Sequence, residues 1–161
     1  MQKLRFRTLT TALAGILVAI GGCAESPSSP AAPQFLQRGP LPSFDVSGTN
    51  TVVIDARGGV VESLAGDRII FPAGAVTQPV TVTLTSDANF VGVELEPHGT
   101  TFNRNREPTL ILNAGSGATS RANVVYVNEA GVVEEVLATE AANGQLKASL
   151  RHFSKYYAVG S

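Results

Sequence analysis

His152-Phe153-Ser154 places an imidazole two positions from a hydroxyl, close to the end of the chain. A histidine that near a serine can take the hydroxyl proton and turn the oxygen into a nucleophile. The same two residues can instead satisfy buried backbone groups, with no reaction at all. Cys23 is the only cysteine, so an intrachain disulfide or a zinc site with several thiolates is excluded. His98 is the only other histidine and lies in Glu96-Pro97-His98-Gly99, which reads as a surface turn. A histidine-based metal site would need His98 and His152 to converge with carboxylates. No metal and no cofactor are expected. Gly115-Ser116-Gly117 has the glycines of a nucleophile elbow without the strand and helix that hold one, and reads as a loop. The acidic residues lack the spacing of a calcium loop, and no glycine-rich motif is set to cradle phosphate. Asn89, Asn103 and Asn105 lack Ser or Thr two positions on, so they are not glycosylation sites. No constellation supports a hydrolase, and the chain is not expected to be an enzyme.

Any chemistry at residues 152–154 depends on strands. Val80-Thr81-Val82-Thr83-Leu84-Thr85 alternates apolar and polar residues, with Val80, Val82 and Leu84 turned inward. Gln145-Leu146-Lys147-Ala148-Ser149-Leu150 repeats the pattern. Further strands are expected at residues 51–56, 60–64, 68–71, 91–96, 109–112, 123–127 and 132–137, and through the closing Ser149–Ser161 stretch. Glycine-rich turns separate them, among them Arg57-Gly58-Gly59, Ala65-Gly66-Asp67 and Asn143-Gly144. Residues 138–142 are expected to form one short helical turn. Short strands at this spacing predict an all-β chain, an antiparallel β-sandwich over residues 49–161. The parity of Leu146, Ala148 and Leu150, extended, would turn His152 and Ser154 inward and Phe153 outward, unless a bulge re-aims it.

The first 22 residues read as a signal peptide. Lys3, Arg5 and Arg7 precede an uncharged apolar run from Leu9 to Ile20, then Gly21 and Gly22. That run is shorter than the roughly 20 residues a membrane-spanning helix needs. Residues 23–48 hold five of the nine prolines, at 27, 30, 33, 40 and 42. This composition predicts a disordered, semi-extended linker, of which about 20 residues at roughly 3.1 Å each would reach about 60 Å. Phe35, Leu36 and Phe44 are its candidates for docking on the domain. Loss of the three leader cations leaves nine basic against thirteen acidic side chains, a formal charge of about −4. Such a domain has no electrostatic footprint for nucleic acid and no polybasic patch for acidic lipids.

Two resemblances add to this reading. Ile20-Gly21-Gly22-Cys23 resembles the bacterial lipobox. That implies a diacylglycerol on the Cys23 thiol, cleavage before Cys23 and acylation of the new amino terminus. The membrane is then a partner through the lipid anchor. Ala24, rather than Asp, after the cysteine implies the outer membrane by the proteobacterial sorting rule. The alternative is an ordinary signal peptide with an incidental cysteine.

The second resemblance is to the ZU-five domain, a β-sandwich of netrin receptors, ankyrins and tight-junction scaffolds. It rests on Gly58-Gly59-Val60-Val61 followed by Asp67 to Val76 with Pro72-Ala73-Gly74-Ala75, and on Leu95-Glu96-Pro97-His98-Gly99-Thr100-Thr101-Phe102. It rests also on the closing His152-Phe153-Ser154-Lys155-Tyr156-Tyr157-Ala158-Val159, a form common in bacterial secreted relatives. Phe71 stands where the family often has a first proline, and Asn103–Pro108 is unusually polar. The resemblance implies a non-enzymatic interaction or structural module of the cell envelope, with an envelope or extracellular protein as partner. In some ZU-five scaffolds the triplet cleaves itself between Phe and Ser. Carried over, Ser154 is the nucleophile, His152 the base and Phe153 the acyl side of a single event.

Overall fold

The computed structural model describes residues 32–39 and 48–160. The strands are β1 (Gln34–Phe35), β2 (Gly48–Ile54), β3 (Gly59–Glu62), β4 (Arg68–Phe71), β5 (Val80–Ser86) and β6 (Gly92–Glu96). They continue as β7 (Thr109–Asn113), β8 (Asn123–Val127), β9 (Val133–Val136), β10 (Thr139–Ala142), β11 (Gln145–Ser149) and β12 (Lys155–Gly160). Among the described residues there is no α-helix, only a 3-10 turn at Gly115–Gly117, and no helix long and apolar enough to cross a membrane.

Two antiparallel sheets pack face to face as a β-sandwich. One has the order β2-β5-β6-β12-β8-β9, with β1 added on β12; the other runs β10-β11-β7-β4-β3. The period-two pattern of β5 decides its faces: Val82 and Leu84 are buried while Thr81 is exposed. Ile54, Val61, Ile69, Leu84, Leu95, Leu110, Leu112, Leu146 and Leu150 meet between the sheets at 1% exposure or less. Burial of such side chains is worth about 1.5–3 kcal/mol each. Gly92 is fixed by packing, since a Cβ there would overlap the Tyr157 ring.

Three expectations are corrected. Residues 139–142 form β10 rather than a helical turn, paired with β11 from Thr139↔Ala148 to Ala142↔Gln145. Cross-strand pairing overrides the helix propensity of Glu140-Ala141-Ala142. The linker expected over residues 23–48 gives way at residues 34–38. Gln34 and Phe35 pair with Gly160 and Val159, and Gln37 bridges to Phe90. Leu36 packs against the core, and Phe35 meets the rings of Phe90 and Tyr157 at 5.9 and 5.1 Å. Phe44 lies outside the described residues, as do Cys23 and the leader.

The third correction concerns residues 150–154. β11 and β12 belong to different sheets, so the chain crosses the sandwich here and the alternation does not run through. Phe153 is the residue inside, at 1% exposure; His152 is half-buried and Ser154 buried.

Candidate functional site

The crossover is built from backbone outward. Leu150 N–H donates to the Pro108 carbonyl at 2.9 Å and Phe153 N–H to that of Thr100 at 3.0 Å. The Phe153 carbonyl accepts from Gly99 N–H at 3.1 Å, and the Ser154 carbonyl from Leu95 N–H at 3.0 Å. Tyr156 donates its phenol to the His152 carbonyl at 2.7 Å. The peptide groups of the corner are thereby tied to neighbouring segments, and neither Phe153 nor Ser154 has a positive φ.

The side chains divide the triplet. Phe153 joins Phe71 and Phe102 in an edge-to-face cluster with centroids 5.1 to 6.1 Å apart. The His152 ring turns toward Tyr126, 4.8 Å away and edge-on, and its Nδ1 lies 3.4 Å from the Tyr156 hydroxyl and from the Phe153 carbonyl oxygen. No hydrogen bond links His152 to Ser154 Oγ. The base and the nucleophile are therefore neighbours in sequence without being a pair in space. One element of acyl chemistry is present: Gly99 N–H sits where a negative charge on the Phe153 carbonyl oxygen would develop. Burial pushes the Tyr156 phenol well above its usual pKa, so it remains a donor across the ordinary pH range.

Beside the corner lies an open groove of about 500 Å³, lined by His98, Tyr126, Asn128, Glu129, His152 and Ser154. His152 also borders a smaller hollow of about 260 Å³ with Glu107, Glu135, Arg151 and Tyr156. The two histidines thus share one groove, which spacing in sequence gave no means to foresee.

Only His98 meets carboxylates. Its Nε2 lies 3.2 Å from Glu94 and its Nδ1 3.1 Å from Glu129. Lys155 reaches both, at 3.5 Å from Glu94 and 2.7 Å from Glu129. Glu94, His98 and Glu129 bring ligand-type atoms within 4.8 Å of one another. The carboxylates face different nitrogens of the ring, whereas a metal takes one, and the Lys155 ammonium already supplies the positive charge between them. The cluster fits an ion-pair network better than a metal centre. The Lys155 hydrogen bond holds the Glu129 carboxyl below its usual range, and Glu129 in turn raises Lys155. Ser116 is exposed in the 3-10 turn, with no strand–helix elbow around it.

A second ionic centre escaped the sequence. Asp67 is fully buried and accepts from Arg38 Nη2 at 2.6 Å, Ser86 Oγ at 2.6 Å and Asn113 N–H at 2.8 Å. Arg38, itself nearly buried, also donates to the carbonyls of Asp87, Phe90 and Gly92. Ser86 Oγ approaches Ser63 Oγ at 2.7 Å. Every charge here has its partner, the condition for a buried ion pair to persist. The pair also locks residues 34–38, a strap on the sandwich, into place.

No protein-family model matches the chain, and no curated protein matches it.

Proposed function

We propose that this chain is a lipid-anchored cell-envelope protein whose sandwich, of ZU-five type, is a non-enzymatic interaction or structural module. The anchor is Cys23, and the outer membrane is the favoured location because Ala24 follows it. The partner is a protein of the envelope or the extracellular space. The observation that carries the non-enzymatic reading is the division of the His152-Phe153-Ser154 triplet: its aromatic residue fills the core and its imidazole packs on tyrosines. A residue buried for packing is ill placed to bind a substrate.

Two experiments test this. Precursor processing is expected to be globomycin-sensitive, and Cys23→Ala is expected to release the protein from the membrane fraction. A wild-type protein found wholly in the soluble fraction would defeat the anchor. Crosslinking in intact cells is expected to trap one envelope protein; mutating the groove residues His98 and Tyr126 should weaken that adduct.

A second reading is one-time self-cleavage between Phe153 and Ser154, favoured by the Gly99 N–H on the Phe153 carbonyl. Ser154 Oγ would attack that carbonyl as His152 takes its proton. The Phe153–Ser154 C–N bond would break with that proton passing to the Ser154 nitrogen, and water would then hydrolyse the resulting ester to a Phe153 carboxylate and a free Ser154 hydroxyl. The intact mass of the purified protein decides it. A product lacking residues 154–161, abolished in Ser154→Ala, supports cleavage; a single uncut mass removes it.

A further inference from the structure

The strap gives the sandwich a direction. Gln34 pairs with Gly160 at the C-terminal end of β12, so the chain arriving from Cys23 enters at that end. The same end gathers the 63–67 turn, the 87–90 loop, the 114–121 loop and the Asn143-Gly144 turn. The packing shows it: Gly117 lies against Leu36, Asn113 Nδ2 donates to the Ala65 carbonyl, and Ala114 N–H donates to that of Gly144. Lys155, at the other end of β12, marks the opposite pole with Glu94, His98, Glu129 and His152. The six residues of β12 separate the poles by about 17–20 Å.

The two poles differ in charge. Asp67 is buried on Arg38, and Asp87 is engaged by the Tyr157 hydroxyl and by the Asn89 and Phe90 N–H groups. The remaining residues of these loops are small or neutral apart from Arg121, with Glu62 and Arg68 paired across the base of the 63–67 turn. Leu64, at the tip of the 63–67 turn, is 81% exposed, the most exposed of the large apolar side chains described. The opposite pole carries Glu96, His98, Arg104, Arg106, Glu129 and Arg151 at or near its surface.

We infer that the entry pole is a membrane-facing surface: it rests on the lipid headgroups beside the anchor, with Leu64 as its apolar contact, and holds the groove outward. The inference rests on Cys23 being the anchor. Eleven residue steps join Cys23 to Gln34, so the entry pole stays within about 40 Å of the bilayer even with that segment fully extended. A pole poorer in exposed charge, with a projecting leucine, loses less solvation on meeting lipid than one rich in charge. The occupant of this surface is therefore the bilayer, and the charged pole is left for the protein partner.

The test uses the mature lipidated protein in phosphatidylcholine vesicles carrying a quencher lipid. Cys23 is the only native thiol, so once that sulfur carries the diacylglycerol an introduced cysteine is labelled uniquely. Fluorophores go on Ser116→Cys at the entry pole and on Ala130→Cys at the opposite pole, both exposed positions. Quenching several-fold stronger at 116 than at 130 is expected, with the difference reduced by Leu64→Ser. Equal quenching, or stronger quenching at 130, on protein that floats with the vesicles overturns the orientation and leaves the anchor standing. Protein that floats equally well with Cys23→Ala, or never floats, overturns the anchor and the orientation with it.

Discussion

Arg38 and Asp67 meet inside the entry pole, while Glu94, His98, Glu129 and Lys155 meet on the surface of the other. Both are ionic clusters with a contact of 2.6 or 2.7 Å. Solvent separates their consequences. In the first, both side chains are 3% exposed or less and water is excluded; two further donors, Ser86 Oγ and Asn113 N–H, complete the satisfaction of Asp67, and the carbonyls of Asp87, Phe90 and Gly92 accept from Arg38. Removing either member leaves an uncompensated charge in the core. In the second, water and salt screen the charges, and each retains a solvated alternative. The short contact in one place fixes the fold; in the other it leaves a surface free to be rearranged by a partner.

The largest effect follows from breaking the buried pair. Arg38→Ala is expected to cost about 3–5 kcal/mol in urea unfolding. Asp67→Ala should cost a similar amount, and the double variant should lose much less than the sum of the two. Additive losses would mean that the pair is not a unit. Phe153→Ala comes next, at about 3–5 kcal/mol for an emptied aromatic site in the core. His152→Ala at the adjacent position should cost under about 1 kcal/mol, because its backbone carbonyl still accepts from Tyr156. A costly His152→Ala with a cheap Phe153→Ala would reverse the packing assigned to the corner.

An alkaline limit is expected from the strap side. Burial, helped by the negative Asp87, pushes the Tyr157 phenol up to about 12, against about 10 in the unfolded chain. The raised value favours the neutral phenol in the folded state. Its contribution is therefore full below about pH 10 and is lost as pH rises toward about 12. Melting temperature measured from pH 9 to 12 should fall less steeply in Tyr157→Phe than in the wild type. The smallest effect belongs to the surface cluster. Glu129→Gln should leave the urea midpoint unchanged at high salt, and a large loss would show the cluster to be structural.

Much of the fold was legible from alternation. β5 and β11 read directly from apolar residues at every second position, and glycine-rich turns marked most strand ends. β1 was not legible, because it is two residues long among prolines and pairs only with the far end of the chain. Arg38 gave no local sign of its role, since its partner lies 29 positions away. β10 was hidden by helix-forming residues that cross-strand pairing holds extended. At the corner, the parity of β11 was projected through a change of sheet, where period two has no meaning. Hence Phe153, expected outside, is the one that fills the core. The convergence of His98 and His152 on one groove depends on two loops meeting across the sheet, which spacing alone does not encode.

The union of strap and sandwich is tested most directly by comparing two soluble chains in urea, one starting at Ala32 and one at Gly48. The longer chain should unfold in one transition. The shorter chain should lose about 3 kcal/mol or more, or fail to fold, because Asp67 is left buried without Arg38. Coincident transitions with the same midpoint would contradict the strap as part of the fold, and would return residues 32–39 to the role of a linker.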